Sequence, residues 1–172
     1  MRKNQASVKK TLKIVWGIAG GAFALLILVS VIVSIGKPLT EPDNKIEAIV
    51  NDEIGKKAED EKPTYRKHEK QDGMTTIFLN GEYGWDDKGT RLGMIDDTKK
   101  LIPKIFDEID NNKIKIVWYL LLQDQKGNES DNQVIRMMFT RKNSKSINWD
   151  NVLNEDIPKV ADSYWEHPAM QK

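Results

Sequence analysis

Cysteine is absent from the 172 residues, and that absence removes four readings at once: a disulfide scaffold, a thiolate zinc site, a thiol nucleophile and a lipid-modified cysteine anchor. Histidine is nearly absent, with His68 and His167 alone. Two imidazoles are fewer ligands than zinc takes, so a His68/His167 site would need carboxylates to complete it, and neither metal nor cofactor is expected. The chain also lacks a phosphate-binding glycine loop, a dinucleotide fingerprint, an HExxH helix and a nucleophile elbow. Surplus charge is missing as well, with 27 Lys+Arg against 26 Asp+Glu. This balance averages two unlike pieces. Residues 1–13 hold five bases (Arg2, Lys3, Lys9, Lys10, Lys13) and no acid, leaving 22 bases against 26 acids elsewhere. The resulting −4 argues against a nucleic-acid surface.

What the chain does have is one long apolar run. Ile14 to Gly36 is 23 residues without a charge, between Lys13 and Lys37, and at about 1.5 Å per residue it spans a hydrocarbon core of about 30 Å. A signal peptide is the rival, with Ser34-Ile35-Gly36 as a small-residue cleavage site, but its apolar core would be about 7 to 15 residues. The run therefore reads as an uncleaved transmembrane helix. The bases on its N-terminal side place the N-terminus in the cytoplasm and residues 37–172 on the extracytoplasmic side of a cell membrane. The lipid bilayer is thus one expected partner. Gly17 and Gly21 form a GxxxG pair suited to close helix packing, the spacing a homodimer would use.

Downstream, Asn44 to Gly55 reads as a short amphipathic helix, with Asn44 as N-cap and Ile46, Ile49, Val50 and Ile54 at helical spacing. Residues 56–62 are a charge run and linker. Asp72-Gly73 is a hairpin dipeptide, so strands are expected on either side of it over residues 64–80, the first so polar that it belongs at a sheet edge. Asn80 to Gly93 holds four glycines beside Tyr83 and Trp85 and reads as a loop. A helix follows over about 92–110, kinked or restarted at Pro103. Lys113 to Asp124 alternates apolar and other residues, the clearest strand of the chain, and turns back into a second strand over 132–141. Ile157, Val160, Ala161, Tyr164 and Trp165 at helical spacing predict a terminal helix ending at His167-Pro168. The expected fold is α+β: one transmembrane helix, then a small antiparallel-sheet domain of order α-β-β-α-β-β-α. Its segments are a basic tail (1–13), the span (14–36), a juxtamembrane helix and linker (37–62) and the extracytoplasmic domain (63–172).

The stretch INWDN (Ile147 to Asn151), then ADSYWEHPAMQK (Ala161 to Lys172), after a strand turn containing Lys126-Gly127-Asn128, resembles a group of uncharacterised small proteins of Gram-positive bacteria and their prophages. These carry one N-terminal span or lipoprotein signal and a similar C-terminal α+β domain. The resemblance covers about residues 92–172 and implies location and fold, with no catalytic residue attached.

Ser163 and His167, with Asp162 and Glu166 adjacent, are the nearest approach to a hydrolytic set, yet neighbours on one helix rarely converge on a reacting atom. The acidic Asp86-Asp87 and the turn 124–132 could suggest calcium, but the turn has Lys126 where a ligand belongs. The aromatics Tyr83 and Trp85, hard to bury in a glycine-rich loop, are candidate partner contacts, together with Glu166 and His167 on the expected terminal helix. The function these features suggest is a non-enzymatic, single-pass membrane protein whose outer domain binds a protein or the envelope, encoded by a phage or other mobile element. An assembly scaffold of a secretion or conjugation machine is the alternative, and an envelope hydrolase a more distant one.

Overall fold

Two residues with positive φ, Asp72 (50°) and Gly73 (73°), give the two-residue primed turn whose twist matches the strands it joins. They connect β1 (Tyr65–Gln71) to β2 (Met74–Asn80). This hairpin opens the domain seen in the computed structural model of the chain, in which residues 42–171 are described. Ahead of it lies helix α1 (Pro42–Ile54), which stops where Gly55 takes φ 92°. Asn44 lies inside that helix rather than capping it. The expected transmembrane helix, the basic tail, Gly17 and Gly21 fall outside the described residues. Among the described residues no helix is long and apolar enough to cross a membrane.

After β2 come helix α2 (Asp87–Glu108), β3 (Lys113–Gln123), β4 (Glu129–Thr140), the one-turn helices α3 (Arg141–Ser144) and α4 (Ile157–Val160), and β5 (Ser163–Glu166). The five strands form one sheet in the order β1-β2-β3-β4-β5. Two corrections to the expected fold follow. First, the sheet is mixed: β2 and β3 run parallel, because the segment joining them carries α2, and a parallel pair needs such a crossover. Second, the terminal helix is not formed. The helical turn at Ile157–Val160 ends at Ala161, which is extended, and Tyr164 and Trp165 then pair with Met137 and Arg136 of β4. Spacing compatible with a helix is here overridden by the open edge of β4, whose backbone groups need partners, and by aromatic residues that suit a pleated surface. Helix α2 also starts earlier than its apolar pattern suggests, capped by Asp86, and continues through Pro103.

Ile77 and Leu79 of β2, Ile114, Ile116 and Trp118 of β3, and Ile135, Met137 and Phe139 of β4 alternate onto one sheet face. There they pack with Ile46 and Val50 of α1 and with Ile95, Leu101, Ile102 and Ile105 of α2. A bulge at β3–β4 pairs Trp118 with Ile135 and Tyr119 with Gln133, so Val134 is the extra residue and is also buried. The other sheet face carries no helix residue of this core.

Candidate functional site

The site is built where β2 hands the chain to α2. β2 and β3 are the parallel pair, and the loop leaves from the carboxyl end of β2. Gly81 N–H donates to the Tyr119 carbonyl at 2.9 Å, which carries the pairing one step past β2. An added Cβ at Gly81 would lie 2.8 Å from the Met94 sulfur and 3.2 Å from Leu120, so the close approach of loop to core depends on glycine.

Beyond Gly81 the loop is braced at both ends. Tyr83 donates its hydroxyl to the Leu121 carbonyl, and its N–H reaches a Glu59 carboxylate oxygen at 3.4 Å. On the helix side, Gly84 N–H donates to Thr90 Oγ1 at 2.8 Å, and that hydroxyl donates to the Asp86 carbonyl at 2.9 Å. Asp86 Oδ1 accepts from Gly89 N–H at 2.6 Å, satisfying an amide of the first turn of α2. Gly84 lies so close to that turn that a Cβ would come within 2.6 Å of the Thr90 nitrogen. Between these ties stands Trp85, with a relative exposure of 106%. Its neighbours Glu82, Asp86 and Asp87 are exposed and acidic.

Beneath the loop, a cleft is lined by Glu59, Lys62, Asn80, Tyr83, Tyr119 and Asp131. Arg66 ties three of these residues together, donating from Nε to Asn80 Oδ1 at 2.6 Å and from Nη2 to Asp131 at 2.5 Å, with its guanidinium 4.2 Å from the Tyr119 ring centre. Asn80 in turn donates to the Pro63 carbonyl at 2.7 Å. Sequence reasoning missed this network because its members lie on β1, β2, β3 and β4, and only the strand register brings them together.

Acid–base behaviour near the loop centres on Asp97 of α2. Burial is the largest influence and raises its carboxyl above the ordinary aspartate value; the Lys100 hydrogen bond opposes this, and the Asp96 and Glu82 charges add to it. A raised folded-state value means the charged carboxylate destabilises the fold at neutral pH and ceases to do so as pH falls through that value. Asp97→Asn is therefore expected to raise Tm at pH 7, with the gain shrinking toward pH 3.8, the ordinary value. Thermal unfolding across that range checks it. Lys100 keeps its Asp96 partner at 2.6 Å in the variant.

The remaining sequence candidates part company. Tyr83 and Trp85 sit together on the exposed loop. Glu166 does not project from a helix: it lies on β5 with its side chain 11% exposed, accepting from Arg91 Nε at 2.7 Å and from the Tyr164 hydroxyl. Burial and then that hydrogen bond push the Tyr164 phenol far above its ordinary value. The trio fastens β5 to α2. His167 turns its Nδ1 to accept the Ala169 N–H at 3.1 Å, capping the turn at Pro168–Met170. Asp162 accepts from Thr140 N–H at 2.6 Å, while Ser163 is exposed on the far sheet face, so the supposed hydrolytic set is dispersed. His68 and His167 belong to opposite edges of the sheet, about 19 Å apart across five strands, and do not form a pair. Among the described residues no group of three or more His, Asp or Glu side chains is arranged to hold a metal ion.

No protein-family model matches the chain, and no curated protein or solved structure matches it.

Proposed function

We propose that this chain is a single-pass membrane protein, held by residues 14–36, whose domain is a non-enzymatic protein-binding module with Trp85 as its anchor. The observation that carries the proposal is a fully exposed tryptophan on a loop tied down on both sides. Exposing an indole to water is unfavourable in the isolated protein, and that cost is recovered when a partner covers the ring. A loop already held in place loses little conformational freedom on binding, which is the condition for a tight contact from a small area. Tryptophan is also among the residues that dominate interface energies. The acidic rim at Glu82, Asp86 and Asp87 complements a partner pocket that is apolar at its centre and basic around it. In this reading Tyr83 is a brace and a rim contact, while Glu166 and His167 support the fold.

Copurification from native membranes tests this. Trp85→Ala is expected to leave Tm within about 1–2 °C of the parent, as for exposed positions generally. It should reduce partner recovery at least about 30-fold, the size of a hot-spot truncation of about 2 kcal/mol. Unchanged recovery of every copurifying protein would remove the proposal.

A further inference from the structure

One face of the sheet carries none of the helix residues of the main core. One row crosses all five strands through paired positions: Lys67 opposite Phe78, Phe78 beside Val117, Val117 opposite Arg136, and Arg136 opposite Trp165. Val117 is 3% exposed yet lies outside the main core cluster, so this face has a small apolar centre of its own. Cations cover its rings. Lys67 stands 4.9 Å from the Phe78 ring centre and Arg136 5.4 Å from that of Trp165, their stems along apolar surface and their charged heads at its edge.

Charge on this face runs against that of the domain. Residues 42–171 hold 20 bases against 25 acids. Of the face's three acids, Glu69 is paired with Lys67 at 2.6 Å and Asp131 with Arg66 at 2.5 Å, while Glu129 lies at the far end of β4, opposite Gln123. Lys113, Lys115 and Arg136 on the same face meet no carboxylate among the described residues. A patch of aromatics and unneutralised cations on an acidic domain has the composition that seats at a phospholipid headgroup layer. In the sequence, five residues (37–41) separate the apolar run from Pro42, and a chain that short reaches at most about 18 Å. The anchor therefore keeps a bilayer within reach.

We propose that the helix-free sheet face docks onto the anionic phospholipid headgroups of a bilayer, through Lys113, Lys115 and Arg136 around Phe78 and Trp165. The proximity argument rests on the anchor reading; the charge argument does not.

The absence of native cysteine allows single-site labelling of the full chain. A fluorophore at Ser163→Cys, on this face, and a control at Asp107→Cys, on α2, are read with vesicles of phosphatidylcholine alone or mixed with phosphatidylglycerol, each carrying spin-labelled headgroup lipid as quencher. Quenching at Ser163→Cys that requires phosphatidylglycerol, is relieved by high salt and is absent from the control is the expected result. The docked-to-undocked ratio should fall roughly fivefold for each cation changed to glutamine, from the strength of one cation near an anionic surface. Lys113→Gln with Lys115→Gln tests this without touching the Trp165 contact.

Flotation of the same samples separates the two readings. Chain that floats with both lipids while the Ser163→Cys probe responds to phosphatidylglycerol supports anchor and face together. Flotation confined to phosphatidylglycerol vesicles, lost in the glutamine variants, supports the face and removes the anchor. Equal quenching in both lipids, quenching at the control, or no flotation at all overturns the docking proposal. A Ser163→Cys response to a single-stranded oligonucleotide in place of lipid overturns it in favour of a nucleic-acid ligand.

Discussion

Arg141→Ala is expected to destabilise the domain by about 3 kcal/mol or more, lowering Tm by roughly 10 °C. The guanidinium gathers three carbonyls at the end of α2, with Nη1 donating to Phe106 at 2.7 Å, Nη2 to Ile109 at 2.5 Å and Nε to Asn111 at 3.0 Å. These groups lie in the last turn of α2 and just beyond it, where helix carbonyls lack intrahelical donors and where the helix dipole favours a cation. The same guanidinium sits 5.1 Å from the Phe106 ring centre, so truncation removes packing as well as hydrogen bonds. Its ion pair with Asp110 is a minor part, since that carboxylate is fully exposed and 3.9 Å away. Arg141→Lys should recover less than half of the loss, because an ammonium group cannot reproduce a planar fork directed at three acceptors. Denaturant unfolding of both variants checks this. Equal stability of Arg141→Ala and the parent would show that water caps the helix equally well.

The second large effect concerns Trp118, which is 1% exposed at the centre of β3. Its indole N–H donates to Thr98 Oγ1 at 2.9 Å, and the Thr98 hydroxyl donates to the Met94 carbonyl at 2.8 Å. This short chain lets a polar atom sit in the middle of the core without an unsatisfied group. Trp118→Ala removes the largest fully buried side chain among the described residues and is expected to cost about 3–5 kcal/mol, enough to unfold a domain of ordinary stability. Thr98→Val keeps the shape and strips the acceptor, leaving the indole N–H buried and unpaired at a cost of about 1–3 kcal/mol. Trp118→Phe combined with Thr98→Val removes both polar partners. It should therefore lose less than the sum of the two single changes, and measuring unfolding free energies around that cycle tests the coupling.

Local chemistry explains which parts of this fold can be read from the residues. Asp72-Gly73 dictates its turn through two positive φ angles, and the polar β1 sits at the edge that its charges suggest. Both depend on neighbours in sequence. The parallel pairing of β2 with β3 had a signal, a long helix-bearing segment between two strands, which the expectation of an antiparallel sheet overlooked. The terminal segment had a weaker one. Ile157, Val160, Ala161, Tyr164 and Trp165 fit a helical period, but the outcome was set by the unpaired edge of β4, a partner distant in sequence. A terminal helix would present Glu166 and His167 to solvent as contacts. As strand and turn residues they face Arg91 and Ala169 instead.

Tyr83 and Trp85, by contrast, could be singled out without any tertiary knowledge, since glycine-rich sequence leaves large rings few places to hide. What the residues alone could not supply was the bracing. Thr90, Asp86 and the Leu121 carbonyl hold the loop only because α2 begins at Asp87 and β3 lies beside β2. The same holds for Arg66, whose partners Asn80 and Asp131 are brought to it by register.

The central claim is that this braced loop presents Trp85 to a protein partner, and photo-crosslinking in native membranes addresses it most directly. A photoreactive aromatic residue, which keeps a ring at the anchor, is placed at position 85 in the full chain. A second is placed at the exposed Lys104 position, about 25 Å farther along α2, as a control. Mass spectrometry then identifies the adducts. The account predicts one discrete protein adduct from position 85, none from position 104, and loss of the position 85 adduct when Gly84→Ala forces the loop away from Thr90. The same adducts from both positions, or a position 85 adduct indifferent to Gly84→Ala, would contradict it.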